Sequence, residues 1–160
     1  MGNQNIKKRI WKLCFFFYIV LIIRFIIFKY PLEQLIGIIQ GWKKEVILEG
    51  LHTANFTLGE SIKMYIRYFH NFTFWNGMAN LYGNLLAFIP LGILFPLCYG
   101  RENRKWKPFL FAVLFVVSIE LFQLISAFGV FDVDDILLNV LGCMLGYGIY
   151  EIVISKTKNR

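Results

Sequence analysis

Residues 109–128 have the sequence FLFAVLFVVSIELFQLISAF, in which Glu120 is the single charged residue. A helix of about 20 mostly apolar residues is long enough to cross the hydrocarbon layer of a bilayer. A carboxyl group at membrane depth is costly to place, so it usually marks a function or a specific partner. The stretch therefore predicts a membrane-spanning helix with Glu120 as a candidate functional residue.

Three further apolar stretches of similar length occur in the chain. We expect four spans, at about 10–28, 79–99, 109–128 and 134–154. The composition agrees, because 58% of the 160 residues are hydrophobic and 18% are aromatic, which leaves too little polar surface for a soluble domain. The predicted fold is all-α: one polytopic membrane domain, residues 1–160, built as a bundle of four transmembrane helices.

The net charge of +7 comes from basic residues gathered in three short segments that flank the predicted spans. These residues are Lys7, Lys8, Arg9 and Lys12, then Arg101, Arg104, Lys105 and Lys107, and finally Lys156, Lys158 and Arg160. The positive-inside rule places such segments in the cytoplasm. We therefore expect a multi-pass protein with both termini cytoplasmic and loop 29–78 outside. This distribution indicates no nucleic-acid partner.

Loop 29–78 carries apolar residues at helical spacing. They are Leu32, Leu35, Ile36, Ile39, Trp42 and Val46. This pattern predicts an amphipathic helix that lies on the outer membrane surface. A second short helix is expected over 60–69. The loop either anchors at the interface or forms a lid over a lateral opening between helices.

Six polar residues from four predicted spans fall in the outer half of the membrane. They are Arg24, Asn84, Glu120, Gln123, Asp135 and Asn139. With a rise of about 1.5 Å per residue, Asn84 and Asn139 lie roughly 8 Å below the outer ends of their spans. Glu120 lies roughly 12 Å deep. Residues three or four apart share one helix face, which applies to Glu120 with Gln123, to Asp135 with Asn139, and to Asn80 with Asn84. We expect these residues to line a ligand-binding pocket that opens outward.

Other interpretations of these residues remain open. Hydrogen bonds between polar side chains can simply fasten membrane helices, at about 1 kcal/mol each. Arg24 could form an ion pair with Glu120 or Asp135, and those two carboxyl groups are also candidates for a catalytic acid/base pair. The cluster at 132–135 could bind a divalent cation, although Asp134 as the cap of the fourth span is the favoured interpretation.

No metal site or cofactor is expected elsewhere. Cys14, Cys98 and Cys143 are widely spaced, and no His-Glu-x-x-His pattern is present.

Two features concern helix shape. Pro90 lacks an amide proton, so it predicts a kink one turn beyond Asn84. The kink either shapes the helix or exposes a carbonyl group to the pocket. Gly142 and Gly146, four residues apart, predict a face for close helix packing.

Three sequence blocks together resemble the VanZ-like family. They are GNLLAFIPLG (83–92), ELFQ (120–123) and DILLNVLG (135–142), and NFTL (55–58) resembles a weaker block before the second span. The resemblance covers about 53–150. This chain has Phe131 and Asp132 where an Arg often precedes the aspartates of the third block, and Arg24 could take its place.

The resemblance implies a bacterial inner-membrane protein of a family named for a member associated with resistance to the glycopeptide teicoplanin. It implies a location and a phenotype, and no particular reaction. From this we expect a protein that binds a membrane lipid or lipoglycopeptide. The alternatives are an enzyme acting on a lipid-linked substrate through Glu120 and Asp135, or a structural partner of a cell-envelope enzyme.

Overall fold

A computed structural model describes the backbone of residues 2–27, 30–68, 74–100 and 106–158, and the side chains of 5–27, 30–67, 81–100 and 106–153. Within these ranges the fold is all-α, as predicted. The helices are α1 (Gly2–Ile26), α2 (Leu32–Gly41), α3 (Glu45–Thr53), α4 (Glu60–Tyr68), α5 (Phe74–Ala87), α6 (Ile89–Tyr99), α7 (Trp106–Ser126) and α8 (Val133–Lys158). An isolated parallel bridge joins Asn55 to Asp132.

Within the part of the chain that the structure describes, three segments are long and apolar enough to cross a membrane. They are Leu81–Tyr99, which joins α5 to α6, Trp106–Ser126 and Val133–Val153. They correspond to the second, third and fourth predicted spans, with boundaries that agree within three residues. Helix α1 carries Arg9, Lys12 and Arg24, and it is not among these candidate spans. The topology with four membrane spans therefore stays a prediction.

Helix α8 is central to the bundle and packs against α5, α6 and α7, while α1 packs against α6. Gly142 and Gly146 explain how closely α8 approaches its neighbours. A Cβ atom on Gly142 would overlap the main-chain oxygen of Leu85, and one on Gly146 would overlap that of Ile89. The predicted packing face is confirmed, since only glycine fits at both positions.

The kink predicted at Pro90 takes the form of a break between α5 and α6. Helix α5 ends at Ala87, Phe88 forms a turn, and Pro90 lies in the first turn of α6. The amide of Leu91 donates to the carbonyl of Phe88 at 3.1 Å, which leaves the carbonyl of Ala87 available. The hydroxyl of Tyr18 on α1 donates to it at 2.7 Å. The break thus fastens α1 to the bundle.

Loop 30–68 folds into three short helices. The apolar pattern that predicted one helix over 32–46 is divided between α2 and α3, because the chain turns at residues 42–44. There the indole N–H of Trp42 donates to the carbonyl of Ile125 at 2.8 Å. Helix α3 lies tightly on the end of α7, since a Cβ atom on Gly50 would overlap the carbonyl oxygen of Leu124. The second short helix is confirmed as α4.

Candidate binding site at the polar end of the bundle

The polar end of the bundle is formed by the α3–α4 connection (54–59) and the α7–α8 connection (127–132). The amide of Asn55 donates to the carbonyl of Phe131 at 2.8 Å, and the amide of Val133 donates to the carbonyl of Asn55 at 3.0 Å. Ala127 adopts a left-handed conformation, with φ 60°, as the chain leaves α7. These contacts hold the two connections side by side.

The Asn55 side chain extends this pairing into a clasp, which we define as Asn55, Ser61 and Asp132. Its Nδ2 donates to Oδ1 of Asp132 at 2.9 Å and to Oγ of Ser61 at 3.0 Å, and its Oδ1 accepts from the amide of Thr57 at 2.9 Å. The Ser61 hydroxyl donates to the second carboxylate oxygen of Asp132. All polar atoms of the Asn55 side chain are therefore used.

Asp134 caps α4, not the fourth predicted span as expected. Its carboxylate is fully buried and accepts from the amide of Gly59 at 2.6 Å and that of Ile62 at 3.2 Å. These amides lie at the N-terminus of α4, where the helix dipole favours an anion. Asp134 thus caps α4. Because α8 begins at Val133, its cap is Asp132, whose Oδ1 accepts from the amide of Asp134 at 2.8 Å.

Glu120 is 2% exposed and connects α7 to the first residues of α8. Its Oε2 accepts from the amide of Asp132 at 3.0 Å. The carboxylate therefore lies at the N-terminus of α8, where main-chain amides and the helix dipole stabilise negative charge. This contact places Glu120 beside the clasp.

Asn84 and Asp135 meet across the contact between α5 and α8. Nδ2 of Asn84 donates to Oδ1 of Asp135. One turn further along α8, Asn139 is 2% exposed and its Oδ1 has no hydrogen-bond partner. Buried polar atoms are nearly always paired, so this oxygen requires an explanation. The side chain of Asn80 lies outside the described residues.

Gln123 and Arg24 lie on the α1 side of the site. Gln123 is 5% exposed, and its Nε2 donates to the carbonyl of Ile26 in the last turn of α1 at 3.5 Å. Arg24 lies two residues earlier and is exposed. Of the predicted set, the structure brings Asn84 and Asp135 into contact, and Asn139 is buried one turn further along α8. Glu120 and Gln123 connect α7 with the neighbouring segments.

The aspartates at 132–135 serve separate partners. Asp132 belongs to the clasp, Asp134 faces the α4 amides, and Asp135 faces Asn84. Among the described residues, no group of three or more histidine, cysteine or acidic side chains is arranged to hold a metal ion. The cation-binding alternative is therefore not supported by the geometry of this cluster.

Sequence reasoning missed the clasp. Asn55 appeared only in the weak NFTL block, and Ser61 was not singled out. The signal available was that block together with Gly59, which has φ +85° and precedes α4. These features indicate an ordered connection, but they do not identify its partner.

A cavity of about 140 Å³ lies further along α8. It is lined by Pro108, Phe109, Cys143, Met144 and Tyr147. Cys143 is one helical turn beyond Asn139, about 6 Å along the axis. The same helix thus presents a buried polar group and then an apolar cavity.

Comparisons with known proteins agree with the sequence blocks. The VanZ/LLP1 family model matches residues 15–154. The chain is also 29% identical over 81 residues to Protein VanZ from Enterococcus faecium, covering 51% of this chain and 50% of that protein. The chain thus spans about half the length of that relative. No solved structure matches it. Because the family match extends over most of the sequence, this chain belongs to the VanZ/LLP1 family.

Proposed function

We propose that this VanZ-type protein lies in the bacterial cytoplasmic membrane and binds an amphiphile, either a membrane lipid or a lipoglycopeptide, from the outer leaflet. In this arrangement α1, the joined α5 and α6, α7 and α8 form four spans. Both termini face the cytoplasm and the polar end faces outward. Lys7, Lys8, Arg9 and Lys12 support this orientation, because they lie at the start of α1, whereas the last turn of α1 contacts Gln123 at the polar end.

The buried, unpartnered Oδ1 of Asn139 is the observation that carries the proposal. Water is scarce at membrane depth, and an unsatisfied polar group there costs several kcal/mol. A ligand that donates a hydrogen bond to this oxygen would remove the penalty. Asp135 lies one turn before Asn139 on α8, and the apolar cavity begins one turn after it, at Cys143. This sequence of polar and then apolar surroundings matches the polar head and apolar tail of an amphiphile.

In this proposal, loop 30–68 forms a lid over the site. Its apolar side chains are strongly exposed in the isolated chain, with Leu32 at 72%, Ile39 at 64% and Leu58 at 63%. Exposed apolar side chains on short helices suit the membrane interface. The Trp42 hydrogen bond and the clasp hold the loop over the ends of α7 and α8. An amphiphile would enter between the loop and the bundle.

Glycopeptide tolerance tests the proposal in cells. Glu120→Gln and Asp135→Asn keep an oxygen acceptor for the amide of Asp132 and for Nδ2 of Asn84, and the abundance of each variant is measured beside tolerance. We expect them to lower tolerance to teicoplanin, which carries a fatty-acyl tail, and to change tolerance to vancomycin little. The control is Ser118→Ala, an exposed position on α7. Equal loss for both antibiotics would contradict recognition of the tail.

An enzymatic role is a second candidate, favoured by the burial of the Glu120 carboxyl group in an apolar bundle. Glu120 and Asp135 would then act as acid and base on a lipid-linked substrate. Purified protein would convert labelled lipid repeatedly, and Glu120→Gln would abolish that turnover. Saturable retention of one ligand per chain without product would instead support binding alone.

A structural role, as the partner of a cell-envelope enzyme, is favoured by the clasp. If the polar residues only fasten the fold, replacing any of them should lower abundance and recovery of the partner together. Thermal unfolding in detergent separates the two cases. Binding predicts that some variants keep their stability and lose the ligand.

A further inference from the structure

The apolar cavity between the start of α7 and the middle of α8 has a closed floor and an open mouth. Its volume is about 140 Å³, and the described residues that line it carry no charge: Pro108, Phe109, Cys143, Met144 and Tyr147. Pro108 and Cys143 are buried, whereas Phe109 is 46% exposed and Met144 is 53% exposed. In a membrane the mouth faces hydrocarbon, so the natural occupant of the cavity is a group that needs no hydrogen bond.

A stripe of exposed apolar side chains extends along α8 from the polar end to this mouth. It consists of Leu137, Leu141 and Met144, which are all exposed. Because they are spaced by four and then three residues, they lie on one face of the helix. The stripe begins two residues after Asp135, whose side chain contacts Asn84 at the polar end. A straight hydrocarbon chain can therefore lie along this face with its end in the cavity.

The geometry of α8 sets the length of such a chain. With a rise of about 1.5 Å per residue, Cys143 lies roughly 12 Å beyond Asp135, and Tyr147 lies roughly 18 Å beyond it. An extended chain advances about 1.2 Å per bond, since the three main-chain bonds of one residue span about 3.6 Å. A chain thus needs about ten bonds to reach the cavity and about fifteen to reach its far side. The roughly five carbons between these limits match the available space, because an apolar cavity of about 150 Å³ holds a six-carbon ring.

Resting on the proposed function, in which the head of the amphiphile lies at the polar end, we infer that the ligand carries a straight alkyl tail of at least about ten carbons, the end of which occupies this cavity. A shorter tail stops on the exposed stripe, where its contacts equal those it makes with lipid. A longer tail gives the cavity lining the contact atoms that an empty cavity lacks. The flexible side chain of Met144 at the mouth can adapt to the chain. Tail length is therefore what the cavity selects.

Photoreactive alkyl maltosides test both the position and the length of the tail. An octyl and a tetradecyl maltoside, each with a diazirine at the end of its tail, are irradiated with the purified full-length protein in a nonionic detergent. Both are used at the same mole fraction in the micelle, which removes their different partitioning from water. We expect the tetradecyl probe to label the buried Cys143 and its neighbours up to Tyr147, about tenfold more than the octyl probe does. The octyl probe should instead label the stripe at Leu137 and Leu141.

Variants that fill the cavity show whether it holds the tail. Cys143→Leu adds volume at the floor, and Met144→Trp adds volume at the exposed mouth. Each should lower labelling of residues 143–147 by the tetradecyl probe about tenfold and leave labelling by the octyl probe unchanged. Ser118→Leu, which adds volume at an exposed position on α7, is the control and should change neither. If Cys143→Leu does not fold, Met144→Trp gives the same decision. Labelling that every foldable filled variant leaves unchanged would overturn the inference.

The outcomes separate this inference from the proposed function. Equal labelling of residues 143–147 by the two probes would overturn the length requirement and leave amphiphile binding intact. Labelling of these residues by neither probe would overturn the inference. A co-purified lipid in the native mass spectrum would then still support the proposed function. Protein that emerges lipid-free, together with unchanged teicoplanin tolerance in Asp135→Asn, would overturn the proposed function as well.

Discussion

Asn55 and Asp132, 77 residues apart in the chain, lie side by side in a main-chain bridge at the polar end of the bundle, and the Asn55 side chain donates a hydrogen bond to the Asp132 carboxylate. The pairing unites loop 30–68 with the α7–α8 connection. Ser61 and the cap that Asp134 gives α4 reinforce it from the loop side. A segment that sequence patterns describe as an extramembrane loop is therefore a fixed part of the polar site.

Replacing Asn55 by alanine should destabilise the protein by about 2–3 kcal/mol. The substitution removes donors to Ser61 and Asp132 and the acceptor for the amide of Thr57, and it leaves buried groups partly unsatisfied. Equilibrium unfolding in mild detergent measures the change. The matched control is Thr57→Ala, an exposed position that keeps its main-chain amide. A control that loses as much stability as Asn55→Ala would show that the clasp contributes nothing specific.

Asp134→Asn should weaken the N-terminus of α4 by about 2 kcal/mol, because it removes the charge and turns an amide N–H₂ group toward a main-chain donor. Hydrogen exchange should accelerate at the amides of Gly59 and Ile62 while the middle of α7 stays protected. Glu60→Gln provides the comparison, since this exposed first-turn residue contributes through the dipole alone, at about 0.3–1 kcal/mol. Unchanged exchange in Asp134→Asn would contradict the capping role.

The sequence predicted those features that depend on periodicity or on one residue's chemistry. Pro90 indicated the break between α5 and α6, Gly142 and Gly146 indicated close packing, and the polar layer brought out Glu120 and Asp135. It could not predict the pairing of Asn55 with Asp132, because no periodic pattern links residues so far apart.

Two other features depend on tertiary contacts. Among the aspartates at 132–135, Asp132 caps α8 and Asp134 accepts from the amides of α4. The loop helix divides at Trp42, where the indole finds the carbonyl of Ile125. Ile125 is far from Trp42 in sequence, and the α4 amides are far from Asp134. Local sequence patterns therefore predicted one continuous loop helix and placed the cap of α8 at Asp134 instead of Asp132.

Gly142→Ala should destabilise the bundle by about 1–3 kcal/mol, because the added methyl group overlaps the carbonyl of Leu85 and must push α8 away from α5. Gly148→Ala on the same helix is the control. No atom lies within 4 Å of a Cβ atom built there, so this change should be neutral or stabilise by up to about 1 kcal/mol. Thermal unfolding in detergent compares the two, and equal effects would contradict close packing at Gly142.

Trp42→Phe should loosen the attachment of loop 30–68 to α7 without unfolding the bundle. The indole donates its hydrogen bond to the carbonyl of Ile125, and losing one such bond costs about 1 kcal/mol. Because 1 kcal/mol is a factor of about five in an equilibrium constant, limited proteolysis between α2 and α3 should become about fivefold faster. Gln40→Ala, exposed in the same segment, should leave the rate unchanged. If Trp42→Phe is cleaved at the unaltered rate, the indole contact does not hold the loop closed, and an amphiphile would need another route to Asn139.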